Sequence, residues 1–136
     1  MRHDLKQTRK GATAVEFAMV APTLFLLALG VFEFGRGFMV QHLLSSTARQ
    51  ACRYGVVPGR STNAIQSLAA STLTAQGISG TTTAVQVDGT STDAGSAQSN
   101  AEITVIVSVP VSSITVIPAG GYLRGTLTGQ CTMRRE

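Results

Sequence analysis

Glu16 is the side chain whose position most suggests specific chemistry, because it lies at the start of a long apolar segment. Residues 17–32 carry no charge, and extension back to Ala12 gives 21 residues in which Glu16 is the one acid. A carboxylate in a membrane-spanning helix costs about 2.5 kcal/mol or more at the bilayer centre and less near the interface. Glu16 therefore either reaches the headgroup region or pairs with a positive charge supplied by another chain.

Cys52 and Cys131 are the two thiols, and neither lies in a pattern typical of a metal site. The sequence has no Cys-x-x-Cys motif, and His3 and His42 are isolated, so we expect no metal site and no cofactor. The acids in the second half have no histidine near them in the sequence, and no glycine-rich phosphate loop of the usual spacing is present. We therefore predict that the protein is not an enzyme.

Basic residues are concentrated at the N-terminus rather than on a nucleic-acid-binding face. The net charge is +4, but four of the eleven basic residues lie within the first ten positions. From residue 11 onward the chain has seven Arg, no Lys and six acids, which is a net charge of +1. We therefore expect no nucleic-acid partner.

The apolar segment fits a single membrane-spanning helix, since such a helix needs about 20 residues. A buried core helix is disfavoured, because a domain of this size has no interior that could cover all its sides. A cleaved signal peptide requires small residues just after the segment, and Gly35-Arg36-Gly37 places a charge between them. Basic residues precede the segment, so the positive-inside rule places the N-terminus in the cytoplasm and the C-terminal part outside.

The segment Arg9-Lys-Gly-Ala-Thr-Ala-Val-Glu-Phe17 resembles a type IV prepilin processing site. That site has a short basic leader ending in Gly, then an apolar helix with Glu at its fifth residue. An aromatic residue after this Glu, here Phe17, is typical of the Flp (tight adherence) branch. Two later segments, Gly30–Arg36 and Ala48–Gly59, extend the resemblance to TadE-like pseudopilins over residues 9–59. Beyond that range the similarity is one of layout.

The resemblance implies that a prepilin peptidase removes residues 1–11, the basic leader, by cutting after Gly11 and making Ala12 the new N-terminus. Gly11 has no side chain, so an extended backbone can enter a protease cleft closely. Glu16, with Phe17 beside it, would then pair with the N-terminal amine of a neighbouring subunit and set the register of assembly. The alternative is an interfacial Glu16 that only marks the start of the helix.

The resemblance predicts a minor pilin-like subunit, or pseudopilin, that supports assembly of a Tad/Flp type IV pilus. Its implied partners are the peptidase, other pilin or pseudopilin subunits bound through the N-terminal helix, the inner-membrane assembly machinery and the lipid bilayer. It implies a single-pass protein of the bacterial inner membrane, with a cytoplasmic N-terminus and a periplasmic C-terminal domain. Such a subunit either enters the filament or stays in the membrane.

The alternative function is a single-pass membrane-anchored protein that displays a small external binding module and does not assemble into a filament. The spacing between Gly11 and Glu16 favours the pilin-like subunit, because a plain anchor needs neither residue.

The elements that position these residues form a predicted α+β fold. One long helix is predicted over residues 12–57, with a membrane span at about 12–33 and an extramembrane half at 34–57. The second half carries a stripe of small and apolar residues at spacings of three and four, formed by Val40, Leu43, Leu44, Thr47, Ala48, Ala51 and Gly55. Residues 58–136 are predicted to form a small external domain of pilin-like plan.

The external domain is predicted to hold a second helix and a three-stranded antiparallel sheet packed on the long helix. The segment Ser61-Thr-Asn63 is predicted to cap the start of the second helix, which ends near Gln76 with Gly77 as its stop. Alternating residues predict strands at Thr82–Asp88, Glu102–Val109 and Gly125–Arg135. Between the first two strands, Gly89–Asn100 is expected to be a mobile polar loop, and Ile114–Ile117 an irregular excursion or short strand.

Cys52 lies near the end of the predicted long helix and Cys131 in the last predicted strand. A disulfide between them would join the helix to the sheet, and an external compartment is oxidising enough for it. Two small buried thiols are the alternative.

Overall fold

The computed structural model describes residues 6–115 and 125–136. Within these residues there are two helices, α1 (Lys6–Gly55) and α2 (Thr62–Ala75), and three strands, β1 (Thr82–Val87), β2 (Glu102–Pro110) and β3 (Thr126–Arg134). Short 3₁₀ turns at Ala94–Ser96 and Val111–Ser113 precede and follow β2. The predicted α+β class, with a long N-terminal helix, a second helix and a three-stranded antiparallel sheet, is confirmed.

α1 is a continuous helix of 50 residues that contains Pro22. The chain divides within it into two units, one that ends at Gly35 and one that comprises Arg36–Glu136. In the first unit, none of the side chains from Gly11 to Gly35 is buried. By length and composition α1 is apolar enough to cross a membrane, and it is the one helix of the described residues that meets this test. This finding fits a single-pass membrane anchor.

The second unit is built on a sheet in the order β1–β2–β3, with both neighbouring pairs antiparallel. Val105 at the centre of β2 pairs with Val85 on one side and Cys131 on the other. Side chains alternate between the two faces of a sheet, so β2 directs every second residue into the core. These residues are Ile103, Val105, Val107 and Val109, all fully buried.

The predicted stripe on the second half of α1 packs against this core. Six of its seven residues are buried, and Leu43 is half-buried beside them. Cys52 lies on the same side of α1 and is also fully buried. The stripe is rich in Ala and Gly, which lack bulk, so the helix axis can approach the sheet closely.

α1 approaches the sheet closely at Gly129 in β3. A Cβ atom on Gly129 would lie 2.5 Å from Leu44 O and 2.5 Å from Ser45 N, which are main-chain atoms of α1. Gln41 supports this contact, since its Nε2 donates to Thr128 O at 2.9 Å. The glycine is therefore required by the near contact of two backbones rather than by a turn.

Local signals define both ends of α2, as predicted. The Ser61 hydroxyl accepts from an amide of the first turn at 3.4 Å. At the other end Gly77 has a φ of 77°, its amide donates to Thr74 O, and the Ile78 amide donates to Leu73 O, both at 3.0 Å. This pair of bonds is a Schellman motif, for which glycine is the preferred residue. The buried residues of α2 are Ile65, Ala69 and Leu73.

The loop between β1 and β2 is tied to α2, which its composition does not indicate. Asp93 Oδ1 accepts from Thr62 N at 2.8 Å, and Thr62 Oγ1 accepts from Ala94 N at 2.9 Å. Ala94 is fully buried. The loop thus satisfies an amide at the start of α2 that would otherwise lack a partner within the helix.

The segment after β2 forms no strand over its described residues. Ile114 and Thr115 follow the second 3₁₀ turn as irregular chain, and Arg36 Nε of α1 donates to Ile114 O at 2.6 Å. Residues 116 and 117 of the predicted excursion lie outside the described residues.

Candidate functional site

The four residues of the predicted processing and assembly site lie within two turns of α1. Gly11, Ala12, Glu16 and Phe17 are all exposed. Ala12 and Glu16 are four positions apart, so they are neighbours on one face of the helix. Helical spacing thus places Glu16 one turn from the residue that cleavage after Gly11 would make the N-terminus.

Gly11 is helical in this structure, and a Cβ atom placed on it would meet no neighbouring group within 4 Å. A protease that binds extended backbone would have to unwind α1 at this point. Glycine is less favourable than alanine in a helix interior by about 1 kcal/mol. Unwinding is therefore easier at Gly11 than at the alanine beside it.

The surface of α1 around Glu16 is strongly apolar and lies open. Phe17, Met19 and Phe25 are 69 %, 77 % and 71 % exposed. A continuous exposed apolar surface marks contact with lipid or with another protein. Lipid tails are as apolar as these side chains, so close packing and polar pairs decide whether such helices associate in a membrane.

Cys52 and Cys131 meet between the last turn of α1 and β3. The two residues approach to 3.6 Å and are free thiols in this structure. Cys52 is fully buried, and its thiol donates to Cys131 O at 3.1 Å and to Ile103 O at 3.4 Å. Cys131 is only partly buried. The structure therefore brings together the two cysteines singled out in the sequence, without a bond between them.

Burial, with a smaller contribution from the neighbouring Cys131, raises the pKa of the Cys52 thiol from 9.0 to about 12. The thiolate is the nucleophilic form of cysteine. Cys52 is therefore almost entirely in its unreactive thiol form near neutral pH.

Arg135 is a buried cation, which its residue type alone does not predict. Its side chain is 3 % exposed, and its guanidinium donates to Ala97 O at 2.7 Å and to Gly55 O and Ala94 O at 2.9 Å. Gly55 is the last residue of α1, so the positive charge lies at the negative end of the helix dipole. The adjacent Arg134 is exposed, and the strand alternation that places Cys131 and Met133 toward the core also places Arg135, rather than Arg134, on that side.

The acids in the loop between β1 and β2 have structural roles. Asp93 caps α2, and Asp88 Oδ1 accepts from Glu102 N at 2.8 Å. In the described part of the chain no three His, Cys, Asp or Glu side chains are grouped to hold a metal ion.

One comparison with known proteins finds a family match for part of the chain. Residues 11–53 match the model of the family described as TadE-like protein, whereas no curated protein and no solved structure matches the chain. The match covers the exposed apolar helix, Glu16 and most of the buried stripe, and it ends before α2 and the sheet. The resemblance recognised in the sequence is thereby confirmed over residues 11–53, and this match is consistent with a TadE-like protein of Tad pilus systems.

Proposed function

We propose that this chain is a minor pilin-like subunit that supports assembly of a Tad/Flp type IV pilus. The observation that carries the proposal is the exposed apolar helix with Glu16 five residues after Gly11, inside the segment that matches the TadE-like family. In this proposal residues 1–11 are a leader and about 12–33 cross the bacterial inner membrane. The helix ends at Gly55, and residues 58–136 form the periplasmic domain. The chain acts by binding other subunits rather than by catalysis.

The exposed helix surface supports a role in which lipid is exchanged for other helices. In the membrane an unpaired Glu16 carboxylate costs about 2.5 kcal/mol or more at depth. A carboxylate and an amine 4 Å apart attract each other by about 4 kcal/mol at an effective dielectric constant of 20. Pairing with the new N-terminal amine of a neighbouring subunit therefore offsets much of the carboxylate's penalty, and it does so in one register.

Processing after Gly11 is tested by the mass of the N-terminus. The full chain is produced with and without an active prepilin peptidase, and we expect loss of residues 1–11 only with the peptidase. Gly11→Val places a branched side chain at the cut, so we expect the variant to stay intact. Gly30→Val is the matched control, since Gly30 is also a helical glycine with open space around it, and it should be processed. An intact Met1 in the parent with active peptidase would contradict the proposal.

The register role of Glu16 is tested separately from processing. Glu16→Gln removes the charge and keeps the shape, so we expect cleavage to survive and co-purification with other pilus subunits to fall. Glu33→Gln is the control, because it removes the acid at the other end of the apolar run. If both variants assemble like the parent, Glu16 only marks the start of the helix.

A non-assembling anchored protein remains the second candidate. The observation in its favour is that the family match stops at residue 53, while the sheet and α2 form a core of their own with the second half of α1. Such a protein would display this unit and stay in the membrane. Retention of the mature chain in monomeric form, when the peptidase and the other pilus subunits are present, would favour it.

We also propose that Cys52 and Cys131 form a disulfide in the periplasm. The two residues already approach to 3.6 Å, and they are separated by 79 positions in the chain. Closing a loop of about 80 residues stabilises a fold by about 4–5 kcal/mol in the chain-entropy model, as an upper figure. The bond would fasten the last turn of α1 to β3. Two freely labelled thiols in the native protein from an oxidising compartment would contradict it.

A further inference from the structure

The two thiols differ in how easily a reagent can reach them. This difference determines which cysteine reacts first when the proposed disulfide forms. Cys52 is fully buried in the core, whereas Cys131 is partly exposed on β3, a strand at the edge of the sheet. We infer that Cys131 is the thiol that first reacts with an external disulfide, and that Cys52 then resolves the resulting mixed disulfide. The inference rests on the proposed Cys52–Cys131 bond and not on the pilus role.

Packing around Cys52 excludes the reverse order. The sulfur of Cys52 lies against the main chain of Ile103 and Cys131, with hydrogen bonds of 3.4 Å and 3.1 Å. Protein interiors have few voids larger than a water molecule. A mixed disulfide on Cys52 would therefore have to place its second half inside the core. A mixed disulfide on Cys131 can leave that half at the protein surface.

The reaction is a two-step thiol–disulfide exchange with a donor RS–SR, a small disulfide or the disulfide of an oxidase. The Cys131 thiolate attacks one sulfur, the S–S bond of the donor breaks, and RS⁻ leaves. The Cys52 sulfur, as thiolate, then attacks the Cys131 sulfur, and the second RS⁻ leaves. The two protons lost by the cysteines are taken up by the two RS⁻ groups. The protein loses two electrons, and the donor gains them as two RSH.

The closeness of the two cysteines makes the second step possible although Cys52 is a poor external nucleophile. A pKa about three units above the ordinary thiol value lowers the thiolate fraction about 1,000-fold. The higher basicity of such a thiolate recovers a factor of only about 16–32 at a Brønsted slope of 0.4–0.5. Attack by Cys52 on an external reagent should thus be at least about 30-fold slower than that of an ordinary thiol. Its attack on Cys131 is intramolecular and has a high effective concentration.

Single-cysteine variants of the full chain in detergent micelles test the order, with oxidised glutathione as the donor. In Cys52→Ala only Cys131 remains, and we expect a glutathione adduct by mass spectrometry. In Cys131→Ala only Cys52 remains, and we expect addition to be more than about threefold slower, because its sulfur is still buried in the core. Both variants should react at equal rates in urea, which shows that the difference belongs to the fold. Native rates within about threefold of each other, or faster addition to Cys52, would overturn the inference.

The parent protein tests the resolving step. We expect a transient adduct on Cys131 that is replaced by an intramolecular bond, seen as a loss of two hydrogens and no retained glutathione. A lasting adduct on Cys131 with a free Cys52 would overturn both the resolving role and the disulfide. N-terminal processing by the peptidase does not depend on these thiols, so it stays a separate test of the pilus role.

Discussion

Gly129 offers the sharpest test of how α1 is joined to the sheet. Replacement of Gly129 by Ala puts a methyl group where Leu44 O and Ser45 N would each be 2.5 Å away. Ordinary contact begins near 3.4 Å, so α1 and β3 must separate by about 1 Å. These are main-chain atoms of a regular helix and cannot turn aside as a side chain can.

The expected loss of stability follows from that separation. Overpacking a core by a methyl group costs about 1–3 kcal/mol. A gap of 0.5–1 Å also forfeits a quarter to a half of each dispersion contact along the parted surfaces. We therefore expect Gly129→Ala to lower the free energy of unfolding by about 3 kcal/mol, which corresponds to a fall in Tm of at least about 10 °C.

Calorimetry of the full chain in micelles gives the Tm, and amide exchange at the centre of β2 gives the local opening free energy. Gly37→Ala is the matched control, since Gly37 lies in α1 with no group within 4 Å of an added Cβ. That variant should be unchanged or more stable by up to about 1 kcal/mol. If Gly129→Ala stays within about 0.5 kcal/mol of the parent, the close contact between α1 and β3 is wrong.

Three further predictions concern the caps of the second unit. Arg135→Met removes the three hydrogen bonds of a buried guanidinium, so we expect it to lower the free energy of unfolding, measured in urea, by about 3 kcal/mol. Arg134→Met is the control, because Arg134 is exposed, and it should change that free energy by less than about 0.5 kcal/mol. Hydrogen bonds from Thr62 hold the pKa of the Asp93 carboxyl below its ordinary value of 3.8. This stabilisation is complete above the unfolded-state pKa and is lost as the pH falls through the lower folded-state pKa. In urea unfolding from about pH 6 to pH 3, the parent should therefore be more stable than Asp93→Asn at pH 6, and this difference should shrink as the pH falls. Ser61→Ala should cost about 0.5–1 kcal/mol in the same assay, because the hydrogen bond of the N-cap is long at 3.4 Å.

The elements that sequence reasoning predicts correctly are those whose signals are local. Ser61 and Gly77 bound α2, since a cap hydroxyl and a left-handed residue act within one turn. The stripe on α1 and the alternation in β2 are periodic, and burial of one face enforces the period. The exposed part of α1 is also predicted correctly, because an uncharged apolar run of that length indicates a membrane-spanning helix without any tertiary information.

The contacts that sequence reasoning misses join segments far apart in the chain. Arg135 is buried because carbonyl groups 38 to 80 positions earlier converge on it. Asp93 caps a helix that begins 31 positions before it. A glycine in a strand indicates a close neighbour, but Gly129 does not reveal that the neighbour is the backbone of α1. Position, more than residue type, decides each of these roles.

The late place of β3 in the chain has a kinetic consequence. β3 is synthesised after all other helices and strands of the second unit, yet Gly129 lies against Leu44 and Arg135 reaches back to Gly55. Contacts of such high sequence separation form slowly, because a long loop must close first. The core therefore cannot close until β3 and Arg135 have emerged from a ribosome or a translocation channel. In a chain whose N-terminal anchor is already in the bilayer, the second unit stays unfolded, and can still move through a channel, until β3 has emerged. Folding at that point would then prevent the chain from sliding back.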